Sequence, residues 1–264
     1  MFLFNKKEKY IPKVGITGVG TDYRIYKMTL LEKIIGFTIG FVAGFVAFYI
    51  MFNVVLVSII AGVCIGIFAV PFYKKYLQKN RQKLLLMQFR DMLDSLSSSF
   101  STGKNTHDAF TDCYNDLKMT YGDKSPMVQE LLIIVNGLYN NFVIEDLLHD
   151  LSARCNIDDI NSFADTFAVC NRMGGNLKKV VSESRDIIKD KIEIEMEIQT
   201  TVAANKNDIN IMSVMPFIVV AMMGTMGQEQ ITANTPINVI VKLIAMGMFV
   251  LAYYIGLKIT DIKV

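Results

Sequence analysis

The chain has 264 residues, 52% of them hydrophobic, and a formal net charge of +2. That is too apolar for an ordinary soluble domain; the overall charge says little by itself, and the basic run from Lys74 to Lys83 suits a membrane-topology signal better than a nucleic-acid site, so no nucleic-acid partner is expected. Four cysteines, Cys64, Cys113, Cys155 and Cys170, form no CxxC pair, which excludes the common zinc and redox motifs and leaves reduced, buried thiols as the expectation.

In chain order, residues 1–33 form a basic N-terminal segment with Lys6, Lys7, Lys9, Lys13, Arg24, Lys27 and Lys33. MFLFNKKEKY places its apolar residues before the charges, so no secretory leader is expected. Ile34 to Tyr73 carries no charge. As one helix it would span roughly 60 Å at 1.5 Å per residue, about twice the hydrocarbon core of a bilayer. The run therefore predicts a transmembrane hairpin, 34–73, turning near Tyr49 to Asn53. Gly36, Gly40 and Gly44 recur every four residues on one leg, and Ser58, Gly62 and Gly66 on the other. Small residues at that spacing let helix backbones approach closely in lipid, and packing of the two legs on each other is favoured over contact with a second chain.

Residues 74–208 predict a bundle of about six helices. Leu85, Phe89, Met92, Leu93, Leu96 and Phe100 make one apolar stripe, ending at Thr102-Gly103. Asn105 or Thr106 caps a second helix, and MTYGDKS is a loop. Ser125-Pro126 opens a third helix through Val135. Asn140-Asn141 breaks it, and Ile144, Leu147, Leu148 and Leu151 mark a fourth. The fifth starts at Asp158 or Asp159 and ends at Gly174-Gly175. The sixth starts near Asn176 and runs on toward the membrane with no turn signal before Pro216. KIEIEMEIQ, Lys191 to Gln199, alternates like a strand, but the Lys189–Glu193 and Lys191–Glu195 pairs and the absence of a strand partner predict helix. Helix–Gly–x–Asn–helix occurs twice, at Gly103/Asn105 and Gly174/Asn176, and these glycines predict structural turns.

Two further apolar runs, 209–228 and 237–257, predict transmembrane helices 3 and 4, with Lys242 near the start of the last snorkelling to the interface. The loop between them holds Glu229 and no Lys or Arg, whereas Lys74, Lys75, Lys79, Arg81, Lys83, Lys258 and Lys263 flank the other ends. The positive-inside rule then puts both termini and the bundle in the cytoplasm, with 258–264 a cytoplasmic tail. The fold class expected is all-α: four transmembrane helices and a cytoplasmic helical bundle.

Signs of catalysis are few. His107 and His149 are isolated, no HExxH pattern occurs, the serines 97–99 and 101 do not form a GxSxG elbow, and neither GVGTDYR nor the Gly174 pair ends in GK[ST]. Capping or a solvated helix face suits the histidines better than metal ligation. No catalytic residue, cofactor or metal site is assigned. A small-molecule transporter would need polar groups inside the spans, and a membrane-bound enzyme or sensor would need a catalytic constellation.

Four segments together carry a resemblance. LxxLSxxFxTGxNxxDAF (Leu93 to Phe110), SPMVQELLIIVNGL (Ser125 to Leu138), EDLLHDLSAR (Glu145 to Arg154) and NRMGGNLKKVV (Asn171 to Val181) resemble, in order, the type II secretion F domain family of platform proteins. The RxGGNL core at Arg172 to Leu177 and the single copy of the domain look most like the TadB branch of tight-adherence (Flp) pilus systems, with TadC the close alternative. GspF-type members carry two such domains. The resemblance implies a membrane platform without a nucleotide site of its own, working with a cytoplasmic secretion ATPase, pilin subunits, membrane lipid, and either a paralogous TadC-like platform protein or a second copy of itself. Arg172, Lys178 and Lys179, beside the glycine turn, are the candidate ATPase interface. A solvated helix-end charge at Arg172 is the alternative.

Overall fold

The computed structural model describes residues 15–26, 28–225 and 236–260. The basic residues 6–13, Lys27, the loop with Glu229, the last residues of the third apolar run and Lys263 lie outside the described residues. Among the described residues all regular structure is helical: α1 (Leu30–Phe52), α2 (Val55–Ser101), α3 (Thr106–Tyr121), α4 (Pro126–Tyr139), α5 (Ile144–Cys155), α6 (Asp158–Arg172), α7 (Leu177–Thr225) and α8 (Pro236–Thr260). Lys191 to Gln199 is helical within α7. The expected Lys191–Glu195 pair is not what holds it: the Lys191 ammonium donates to Asp159 of α6 at 2.8 Å, and the helix-favouring Glu and Met residues outweigh the two-residue alternation.

Among the described residues, three helices are long and apolar enough to cross a membrane: α1, the apolar part of α2, and Ile237–Gly256 of α8. The chain is on this ground a membrane protein. The apolar stretch of α7, Asn207–Met223, is shorter than these.

The chain divides into two compact units. One holds α1, α8 and residues 55–75 of α2 and 193–225 of α7. Its hairpin turns at the end of the expected span: Tyr49 to Phe52 are still helical, and the reversal falls at Asn53-Val54. Asn53 adopts φ 49°, and its N–H donates to the Tyr49 carbonyl at 2.9 Å, closing the helix end. A ladder of Phe37, Phe41, Phe45 and Tyr49 climbs α1 with successive ring centroids about 6 Å apart.

The other unit holds α3–α6 whole, residues 76–101 of α2, residues 177–192 of α7, and residues 15–26. Short connections make successive helices antiparallel. Phe89 meets Phe163 edge-on at 5.4 Å, Phe110 meets Phe167 at 6.3 Å, and all four are buried. Phe89 sits on the apolar stripe that the sequence predicts for α2. Helix ends differ in detail. α4 runs to Tyr139, four residues past Val135, because Asn141 at φ 62° supplies the left-handed residue that ends it. Ser125 stands at the α4 N-cap but does not cap it; its hydroxyl donates to Gln88 Oε1 (2.9 Å), and that same oxygen accepts from the Met127 N–H (3.2 Å). A buried glutamine of α2 thus satisfies the helix start in place of the local serine.

Candidate functional site

The two Gly–x–Asn repeats are one device used twice. After α2, the Lys104 N–H donates to the Ser99 carbonyl (3.3 Å) and the Gly103 N–H to Phe100 (3.1 Å). After α6, the Gly175 N–H donates to Cys170 (2.8 Å) and the Gly174 N–H to Asn171 (3.3 Å). Both are Schellman turns, with Gly103 at φ 79° and Gly174 at φ 67°. Two residues on, the asparagine caps the next helix: Asn105 Oδ1 accepts from the Asp108 N–H (2.8 Å) and Asn176 Oδ1 from the Lys179 N–H (3.1 Å). Gly175 is tight for a different reason, a close approach that would make the Cys170 side chain shift. A Cβ there would stand 2.7 Å from Cys170 Sγ. The α4–α5 connection repeats the turn with Asn141: Phe142 N–H to Gly137 and Asn141 N–H to Leu138, both at 3.0 Å.

These three turns share one end of the bundle. His107 meets Tyr139 edge-on at 4.4 Å, joining the first turn to the second. Asn171 Nδ2 donates to buried Glu145 at 3.1 Å, joining the second to the third. Arg185 pairs with Asp94 at 2.9 Å, so α2 and α7 leave this end side by side. Arg172, Lys178 and Lys179 are all exposed here. Lys179 lies 3.7 Å from Glu183. Arg172 and Lys178 have no ion-pair partner among the described residues. Met173 between them is 81% exposed.

At the opposite end lies a buried ionic cluster that the sequence did not single out. Arg154, 1% exposed, places Nη1 at 2.8 and 2.7 Å from the two Glu130 oxygens and donates Nε to Asp150 Oδ2 at 2.9 Å. Residues 15–24, which the sequence leaves outside the bundle, close over it. Arg154 Nη1 donates to the Thr21 carbonyl (3.3 Å), the Ile16 N–H to Asp150 Oδ1 (3.2 Å) and the Tyr23 N–H to the Arg154 carbonyl (3.0 Å). Tyr23 is 2% exposed, its hydroxyl reaches the Pro126 carbonyl at 3.4 Å, and the Arg81 guanidinium lies 4.8 Å from its ring centroid. The segment lies so close that a Cβ on Gly20 would stand 2.9 Å from the guanidinium carbon.

Burial pushes the Glu130 carboxyl above its ordinary range, with Arg154 opposing. Burial pulls the Arg154 guanidinium down, but Glu130 and Asp150 outweigh it and the net shift is upward. Burial, and after it the Glu130 charge, raises the Tyr23 phenol. A signal for this cluster does exist in the sequence. Glu130 stands three residues from Met127 and four from Ile134, and Arg154 three from Leu151 and seven from Leu147. Opposite charges on the apolar faces of two successive helices call for each other.

In the membrane unit, the glycines of α1 face those of α2. A Cβ on Gly40 would stand 2.5 Å from the Ala69 Cβ and 3.0 Å from the Gly66 Cα, and one on Gly44 3.2 Å from the Gly62 Cα. Gly36 faces the Tyr73 ring, Gly62 faces Phe41 and Gly66 faces Phe37. Buried Ser58 donates its hydroxyl to the Val54 carbonyl at 2.9 Å.

His107 lies 3.7 Å from Asp108 and His149 3.6 Å from Asp165, and no cluster of three or more His, Cys, Asp or Glu suited to a metal occurs among the described residues. Cys113 and Cys155 are buried and burial raises both thiols, whereas Cys170 is half-buried and Cys64 exposed, contrary to the expectation of four buried thiols. Cys64 lies in the apolar stretch of α2, a helix long and apolar enough to cross a membrane. Comparison of the chain with family models, curated proteins and solved structures finds no match.

Proposed function

We propose that this chain is a non-enzymatic platform protein of the cytoplasmic membrane, of the type II secretion F domain kind and most like TadB. It assembles a type IV-like (Tad/Flp) pilus or a related secretion machine. It couples a cytoplasmic secretion ATPase to pilin subunits in the bilayer, alongside a paralogous TadC-like platform protein or a second copy of itself.

The observation that carries this reading is the placing of the resembling motifs. TGxN and GGN fall on two Schellman turns at one end of a helical unit, and the remaining two motifs supply α4 and the Arg154 cluster that fasten that unit. A motif set that coincides with the architectural points of a fold supports a shared architecture more than scattered similarity would. Membrane-crossing helices before and after the unit in the sequence support a platform rather than a soluble factor.

In this reading there are four spans, with Asn207–Met223 of α7 as the third, and the Lys and Arg flanks hold both termini and the bundle in the cytoplasm. Arg172, Lys178 and Lys179 are the ATPase contact, because they are exposed cations on a rigid end of the bundle.

Two experiments test the proposal. A reporter fused after Val264 or within 119–125 reads as cytoplasmic, and one within 229–235 as exterior. A cytoplasmic signal from 229–235 refutes four spans. Co-purification of the hexameric secretion ATPase encoded in the same genome tests the function, and its absence with the intact membrane protein refutes the platform role.

A further inference from the structure

The end of the bundle that carries the three turns has an unusual surface. Met173 is the most exposed large apolar side chain there, at 81%, and Val169, Tyr139 and Val143 are exposed around the same end. Exposed apolar groups on mobile loops mean little, but these are held. The Met173 N–H donates to the Val169 carbonyl (3.1 Å), two Schellman bonds follow it, Asn176 caps the next helix, and Asn171 pins the end of α6 to Glu145. The backbone that presents Met173 is held, so a partner need not order the turn on binding it. Arg172 and Lys178 bracket it and have no ion-pair partner among the described residues.

We infer that Met173 is an apolar anchor inserting into a pocket on an acidic protein surface, with Arg172 and Lys178 pairing to carboxylates at the pocket's rim. An apolar centre with charged flanks is the anatomy of a protein interface. An anionic bilayer fits less well. Exposed Asp108 and Asp146 stand in the first turns of α3 and α5 on this same end, and a lipid surface would meet them along with the cations. A protein partner can place each charge opposite its complement.

The inference rests on the platform reading for the identity of the partner, the secretion ATPase, and it adds that the contact is anchored by an apolar side chain rather than carried by charge alone. The full-length protein in lipid nanodiscs is titrated with that hexameric ATPase, using wild type, Met173→Ser, Arg172→Glu and Met119→Ser. Met119 is the control, an 86% exposed methionine near the far end of α3. Because Met173 and Met119 are both exposed, neither serine variant disturbs the core, and circular dichroism checks this. Binding is expected to fall about tenfold or more in Met173→Ser, to fall in Arg172→Glu, and to be unchanged in Met119→Ser. Raising the salt should erase the difference between Arg172→Glu and wild type but not the Met173→Ser deficit.

Equal binding by wild type and Met173→Ser overturns the anchor while leaving the platform reading intact. No ATPase binding by wild type overturns both. A Met173→Cys protein, with Cys64 and Cys170 replaced by Ser and labelled with a polarity-sensitive dye, separates the remaining occupant. Blue-shifted emission on adding ATPase supports the inference. A blue shift on exchanging neutral for anionic lipid, with no ATPase present, overturns it in favour of the bilayer.

Discussion

Replacing Arg154 by Met removes the cation that pairs with Glu130 inside the bundle while keeping much of the side chain's volume. Glu130 is 1% exposed and both its oxygens lie within 2.8 Å of Arg154 Nη1. The substitution therefore strands a carboxylate in the interior, leaves Asp150 without its 2.9 Å partner and deprives the Thr21 carbonyl of a donor. Breaking a buried pair from one side costs about 3–5 kcal/mol, because the remaining charge keeps its desolvation penalty. For a unit of about 130 residues, each kcal/mol moves the midpoint by roughly 3–5 °C, so Tm should fall by about 9–25 °C. The assay is thermal unfolding of the detergent-solubilised chain by far-ultraviolet circular dichroism at pH 7. Arg154→Met combined with Glu130→Leu should recover at least half of the loss, since the stranded charge is then gone. A single variant within about 1 kcal/mol of wild type would refute the claim that this pair is buried and mutually dependent.

The same variant has a pH signature. In the native protein burial already raises the Glu130 carboxyl, and Arg154 is the largest influence holding it down. Without Arg154 the folded-state value rises further, while the unfolded value stays that of an ordinary glutamate. Between those two values the folded state binds the proton and the unfolded state does not, so stability falls as pH rises. The deficit of Arg154→Met relative to wild type should therefore shrink as pH is lowered from 7 toward 5. A deficit that grows on acidification would show that a different group is responsible.

What was legible in the sequence was whatever is written locally. The α2 stripe that buries Phe89 follows from spacing alone, and so does the four-residue repeat that sets Gly40 against Gly66. The Gly–x–Asn repeat is legible for the same reason: stop, left-handed residue and next cap lie within five residues of each other. The parts that were not legible are long-range. Gln88 caps α4 from 39 residues away. Arg154 reaches Thr21 across 133 residues, and nothing in GITGVGTDYR marks it as part of the core of a bundle that starts some fifty residues later. Its glycines resemble a loop because they are one. The reason for Gly20, a guanidinium pressed against the backbone, belongs to α5. A charge on an apolar helix face was the one available signal, and it becomes informative only when Glu130 and Arg154 are considered as a pair.

Two further substitutions separate close approach from backbone conformation as the reason for a glycine. Gly40→Leu must push α1 away from Ala69 and Gly66, at a cost on the order of a few kcal/mol of lost packing in the hairpin, and an unchanged melting temperature in detergent would show that the legs do not depend on this contact. Gly174 is the opposite case. It has φ 67°, and no atom lies within 4 Å of where a Cβ would stand, so sterics with neighbours contribute nothing. The whole penalty for a side chain is the left-handed backbone, about 1–2 kcal/mol for a β-branched residue and much less for asparagine, which this chain itself places in that region at Asn53, Asn141 and Asn156. Gly174→Val should thus lower stability by about 1–2 kcal/mol, and Gly174→Asn by less than about 0.5 kcal/mol, measured by chemical denaturation of the solubilised chain. Equal effects from Val and Asn would mean that the turn does not hold a left-handed residue at Gly174, and the rigidity assigned to Met173 beside it would fall with that result.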